Sequence, residues 1–166
     1  MPLPNTETRY IRTMVDVTIH PFRPELAPYF LQINRQWIES FFSMEPFDRE
    51  QLEDPLKSIV LTGGQVWFAE WQGNMVGTVA VKALGDGTFE LIKMGVLPEA
   101  QGQKIGWKLG QAAIAWTKEK GATKIVLYSH SILAPAIALY KKLGFRETPI
   151  ECGKYARCDV KMEIVF

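Results

Sequence analysis

Histidine and cysteine are scarce in this 166-residue chain, with two of each. Cys152 and Cys158 are too few to build a disulfide scaffold, and with so few histidines to assist they do not make a zinc site. Charge of one sign is lacking too. Nineteen Lys and Arg against eighteen Asp and Glu leave +1, which removes the usual electrostatic footprint of a nucleic-acid binder. No run approaches the ~18 apolar residues of a membrane span, and the opening MPLPNTETRY has no apolar signal core. Nothing repeats at a fixed period and no stretch is of low complexity. What is present, 47% hydrophobic and 22% charged residues, is the mix of an ordinary folded domain. The expectation is one cytoplasmic domain over residues 14–166 behind a loose polar tail, residues 1–13.

The patterning alternates between strand and helix. Val15-Asp16-Val17-Thr18-Ile19 alternates as a half-buried strand does. Leu26, Phe30, Ile33, Trp37 and Phe41 recur at three and four and predict a helix over Pro24–Phe42. Pro46 and Asp48 open a weaker helical stretch to about Leu56. Val66–Trp71, a turn at Gln72-Gly73-Asn74 and Met75–Lys82 read as a hairpin. Gly85-Asp86-Gly87 is a second turn, before a strand from Phe89 to Val96. Ile105, Leu109, Ala112, Ala113 and Trp116 then share one helical face, and Lys118, Lys120 and Gly121 form a stop. Lys124–Tyr128 reads as a buried strand, which makes strand, helix, strand a crossover with parallel strands. A helix over Ala134–Leu143 ends at Gly144, and Val160–Ile164 closes the chain as a strand. The predicted class is α+β: a mixed, mostly antiparallel sheet with helices on both faces.

Chemistry concentrates between Phe89 and Phe145. The segment Pro98–Trp107 joins a strand end to a helix start, where unpartnered N–H groups and the helix dipole favour an anion. Gly102, Gly106 and Gly110 stand four apart, and the competing explanation is that they let the helix lie close to the sheet. A P-loop is excluded because Gly106 is followed by Trp107, and a dinucleotide fingerprint is absent.

The stretch Gln101-Gly102-Gln103-Lys104-Ile105-Gly106 resembles the [Gln/Arg]-x-x-Gly-x-[Gly/Ala] signature of the GNAT superfamily of acyl-CoA-dependent N-acetyltransferases. Gly95–Glu99 resembles the lead-in to that signature. Ala136–Phe145 is similar to the family's second motif, a helix ending in Leu-Tyr-x-x-Leu-Gly-Phe. There are two departures. Lys104 replaces the signature's central glycine, keeping the N–H and adding a cation, which suits phosphate if its backbone is ordinarily helical. Leu133 stands where many relatives place an asparagine.

The resemblance implies acetyl-CoA as co-substrate. Its pyrophosphate would rest on the N–H groups of Gly102, Gln103, Lys104, Ile105, Gly106 and Trp107, after Gln101. Its pantetheine arm would run along Met94, Gly95 and Val96. Gly95 also carries an independent reading, since a strand glycine marks a bulge, a close backbone approach or simple packing. Tyr140 matches the family's general acid, and a phenol of pKa ~10 keeps its proton at neutral pH. Glu90 is the candidate general base, with His130 as runner-up. Lys93 reads as an exposed lysine rather than an acceptor-site charge.

The implied reaction is direct transfer of an acetyl group to a primary amine of a small molecule or peptide. The alternatives are a non-catalytic acyl-CoA-sensing module and an acyltransferase for a different acyl group. Neither nucleic acid nor membrane is expected as a partner, and a homodimer stays open. Trp37, Phe41, Phe42, Met44 and Phe47 are either a hydrophobic core or the wall of an apolar acceptor pocket. Glu39, Glu45, Asp48 and Glu50 are either a solvated rim or an attraction for a cationic amine.

Overall fold

The computed structural model describes residues 16–151 and 157–166. The tail expected over residues 1–13, Val15 and Cys152 lie outside them. A seven-stranded sheet runs in the order β1-β2-β3-β4-β5-β7-β6. Its strands are β1 (Thr18–Pro21), β2 (Gln65–Trp71), β3 (Asn74–Gly85), β4 (Thr88–Val96), β5 (Lys124–Ser129), β6 (Arg146–Thr148) and β7 (Val160–Val165). Every pairing is antiparallel except β4 with β5, the crossover strands, which are parallel as predicted.

Among the described residues, four α-helices cover both faces: α1 (Ala27–Phe41), α2 (Pro46–Glu53), α3 (Ile105–Glu119) and α4 (Ala134–Leu143). The alternation of β2 and β3 explains the two layers. Val66, Phe68 and Ala80 pack with Leu26, Phe30, Ile38 and Leu52 on the α1/α2 side. Trp67, Ala69, Val79 and Val81 pack with Ile105, Leu109 and Ala113 on the α3/α4 side. Period-2 strands between two amphipathic layers give a sheet apolar on both faces.

Several boundaries differ from expectation. Pro24–Leu26 forms a separate 3-10 turn, and α1 begins only after it. The stretch after α2 is a π turn, Leu56–Val60. Strand β6 was not foreseen, because three residues are too few to show a period. Gly106 and Gly110 do not bring α3 close to the sheet. A Cβ on them would meet Leu139 and Leu143 of α4, whereas Gly77 of β3 is the glycine that admits Ile105 and Leu109 of α3.

Candidate active site

The parallel pairing of β4 with β5 covers only Thr88↔Lys124, Phe89↔Ile125 and Glu90↔Val126, although both strands continue. Beyond Glu90 the sheet opens into a cleft of roughly 1420 Å³. Its walls include residues 90–96 of β4 on one side and Tyr128, Ser129 and His130 on the other. A strand edge without a neighbour presents backbone donors and acceptors to whatever enters.

Strand β4 carries a bulge where it leaves β5. Thr78↔Gly95 and Ala80↔Ile92 bracket one residue of β3 against two of β4, Lys93 and Met94. Lys93 takes a left-handed backbone, φ 54°, which is uncommon for a residue with a side chain. The extra residue leaves Ile92 and Lys93 directed to the same α1/α2 side, where Ile92 packs on the core and Lys93 reaches Asp48 of α2. Lys93 is therefore buried rather than exposed, and Asp48 is fully buried rather than part of a solvated rim.

Arg157 completes the cluster. Its Nη1 and Nη2 donate to Asp48 at 2.8 and 2.7 Å, while the backbone N–H of Glu45 donates to Asp48 at 2.9 Å in the capping box that starts α2. Burial alone would raise the Asp48 pKa. The hydrogen bonds from Arg157 and Lys93 overcome it and bring the carboxyl down to about 2. Lys93 shifts downward, because desolvation outweighs the attraction of Asp48. Sequence offers Asp48 only as one of four acids, a solvated rim or an attraction for a cationic amine, and Arg157 not at all. The Glu45-x-x-Asp48 spacing signals a helix start, but nothing local pairs it with residues far along the chain.

At the other end of the cleft lies the loop before α3. The first helical bond there runs from the Lys108 N–H to the Lys104 carbonyl, so the preceding amides have no intrahelical acceptor. Gly102 (φ 83°) and Lys104 (φ 59°) are both left-handed. Alternation of this kind turns successive N–H groups into a concave anion cradle. The Lys104 backbone is thus not ordinarily helical; it adopts the conformation that the glycine it replaces would favour. Gln101, Gly102, Lys104, Ile105, Gly106 and Trp107 line the cleft together with Met94, Gly95 and Val96, whereas Gln103 is not on its wall. Gly95 itself lies under Trp37: a Cβ there would come 2.5 Å from the indole Cδ1. The glycine serves packing, with the bulge just before it.

Tyr140 is placed by the end of α4. The Phe145 N–H donates to the Tyr140 carbonyl and the Gly144 N–H to that of Lys141, at 3.0 and 3.1 Å. Gly144, at φ 106°, makes the left-handed turn that both bonds need. The same motif sets the Phe145 and Tyr140 rings edge to face at 6.0 Å. Tyr140 is buried, and desolvation pushes its phenol up to about 12. Tyr140 and Glu90, both on the cleft wall, are thereby brought into one site. His130 also lines it, but its Nδ1 accepts the Ile132 N–H at 3.0 Å and its Nε2 lies 3.8 Å from Asp159. Nδ1 is thus engaged in the turn after β5, at the cleft edge.

Comparison with known proteins gives one family throughout. The sequence model described as the Acetyltransferase (GNAT) family matches residues 30–145. An uncharacterized N-acetyltransferase of Escherichia coli, YjgM, is 31% identical over 105 residues, 60% of this chain and 63% of that protein. An uncharacterized N-acetyltransferase of Schizosaccharomyces pombe is 32% identical over 129 residues, 75% of this chain and 79% of that one. The match spans 45% of a rat relative, N-acetyltransferase family 8 member 2, so the chain falls short of the length of some curated relatives. Among solved structures, a GNAT-family acetyltransferase from Staphylococcus aureus superposes with a TM-score of 0.79 at 23% identity, covering 89% of this chain and 98% of that one. The PaiA N-acetyltransferase of Thermoplasma acidophilum, in complex with coenzyme A, gives 0.74 at 22% identity over 91% and 99%.

Proposed function

Because the chain belongs to the GNAT acetyltransferase family, we propose that it transfers the acetyl group of acetyl-CoA directly to a primary amine of a small molecule or peptide. The observation that carries this reading is the shared cleft. Glu90 and Tyr140 line one opening in the sheet, whose other end is the amide cradle of Gly102 to Trp107. The residues fit the co-substrate: left-handed Gly102 and Lys104 aim backbone donors where a pyrophosphate would be held, and the edge of β4 from Met94 to Val96 can pair with amides of an extended arm.

Acetyl-CoA supplies an activated thioester. The protein's own part is proton management and alignment. An amine attacks a carbonyl only when deprotonated, and in this reading Glu90, on the cleft wall, accepts its proton directly or through a water. Tyr140, whose phenol is held up at about 12 by burial, keeps its proton at neutral pH and donates it to sulfur as the thioester cleaves. The first test is thiol release from acetyl-CoA across a panel of amines, paired with a thermal-shift titration. A rise in melting temperature with acetyl-CoA is expected. No response up to millimolar acetyl-CoA and no thiol release would overturn the reading.

A further inference from the structure

We propose that the acceptor is a primary monoamine carried on an apolar, ring-sized body with no anionic group beside the amine, and that Phe41 and Ile132 set this preference. The proposal rests on the acetyltransferase reading and names the substrate class of that same cleft.

Two independent features point to it. The first is misplaced apolar surface. Phe41, the last residue of α1, is 53% exposed, and Ile132, in the turn after β5, is 57% exposed. Among the large apolar side chains left exposed in the described residues, these two are the ones on the cleft wall. A continuous ring surface joins the two sides. Phe41 and Phe42 lie 6.4 Å apart, and Phe42 meets His130 edge to face at 5.8 Å. Sequence left these aromatics as core or pocket wall; Phe41 is wall. A rim of this kind gains by being covered with an apolar ligand.

The second feature is that the cations on the α1/α2 side of the cleft, Lys93 and Arg157, are already committed. Arg157 gives both terminal nitrogens to Asp48, and its guanidinium lies 5.6 Å from the Phe42 ring and 5.3 Å from the Phe47 ring. Lys93 is paired with the same carboxylate. An acceptor bearing a carboxylate would have to break this cluster to find a cation on that side, since the other lysines of the wall, Lys104 and Lys142, belong to the loop before α3 and to α4. Beyond Glu90, which the reacting amine itself engages, a polycation fares no better. Asp48 is buried, Glu45 lies 3.7 Å from Arg157, and Glu39 pairs with Arg35 at 3.1 Å.

Phenethylamine, phenylalanine and spermidine separate these cases, since the first two differ only by a carboxylate. The proposal expects kcat/KM for phenethylamine to exceed that for each of the others by about tenfold or more. On protein saturated with coenzyme A, phenethylamine should raise the melting temperature further, and phenylalanine should not. Phe41→Ser should raise KM for phenethylamine by about three- to tenfold, more than it lowers kcat. Its melting temperature should stay near wild type, because the ring is exposed. Equal or better turnover of phenylalanine or spermidine overturns the inference, as does an unchanged KM in Phe41→Ser. Absence of any stabilisation by acetyl-CoA overturns the acetyltransferase reading beneath it.

Discussion

Lys93 and Asp48, 45 residues apart in the chain, meet beneath the cleft and tie the bulge of β4 to the first turn of α2. The contact joins a strained backbone position to the helix whose Phe47 and Gln51 line the cleft. Arg157 clamps the same carboxylate from the segment before β7. Three elements distant in sequence thus share one buried charge, and the geometry of the cleft depends on its being there.

Asp48→Asn should therefore destabilise the fold strongly. It takes from Lys93 and Arg157 the carboxylate they share, leaving Arg157 only the more distant Glu45; removing one partner of a buried pair costs about 3–5 kcal/mol. Urea unfolding of wild type and variant measures the difference. A loss comparable with that of an exposed pair, below about 1 kcal/mol, would show that solvent reaches Lys93 and Arg157.

The same carboxylate predicts an acid limb. Asp48 falls from its ordinary 3.8 to about 2 in the folded protein, so the unfolded chain takes up the proton first. Its contribution is fully present above about pH 4 and is lost as pH falls from there toward 2. Wild-type stability should drop across that window. Asp48→Asn should show a shallower fall, because its side chain does not titrate.

Lys104→Gly tests the left-handed position at the cradle. A side chain at φ 59° is strained, and glycine removes that strain at some cost in unfolded-state entropy. Stability should rise by up to about 1 kcal/mol, and acetyl-CoA should bind as tightly or more so. A tenfold or greater weakening in calorimetry would instead make the Lys104 ammonium a phosphate ligand.

Gly95→Ala should disturb the Trp37 side of the cleft. Its Cβ would lie 2.5 and 2.8 Å from Cδ1 and Nε1 of Trp37. That indole donates to the side-chain Oδ1 of Asn34 at 2.9 Å. The rigid, pinned ring must move, so a stability loss of about 1–3 kcal/mol is expected, with a raised KM for the amine in steady-state assays.

What sequence could and could not show follows from the range of each interaction. The turn at Gly144 was legible because one glycine after a periodic helix is a local signal, and its hydrogen bonds to Tyr140 and Lys141 lie within one turn. The parallel crossover was legible from element order alone. The bulge at Lys93 was not, because it exists only as a mismatch between the registers of β3 and β4. The backbone of Lys104 misled for a related reason: a side chain argues for ordinary helical geometry, and the cradle overrides that preference. Phe41 and Trp37 fit the helical period, which left core and pocket wall open for both; Trp37 packs against the core and also lines the cleft, while Phe41, at the end of α1, is exposed on its wall.

Tyr140→Phe carries the mechanistic prediction. The ring stays, so its edge-to-face contact with Phe145 and the hydrogen bond that closes α4 are kept, and the fold should hold. Only the hydroxyl is lost. If that hydroxyl acts on sulfur as the thioester breaks, kcat and kcat/KM should fall together by about 10²-fold, with acetyl-CoA binding by calorimetry unchanged. The phenol's raised pKa adds a constraint: with a value of about 12, Tyr140 stays protonated through pH 10, so a loss of wild-type rate between pH 8 and 10 belongs to another group. Glu90→Gln should differ, losing rate mainly at lower pH, where the amine is protonated and a base matters most. Near-full kcat in Tyr140→Phe, with single-turnover kinetics showing chemistry to be limiting, would make Tyr140 a packing residue of α4 and leave the proton to come from elsewhere.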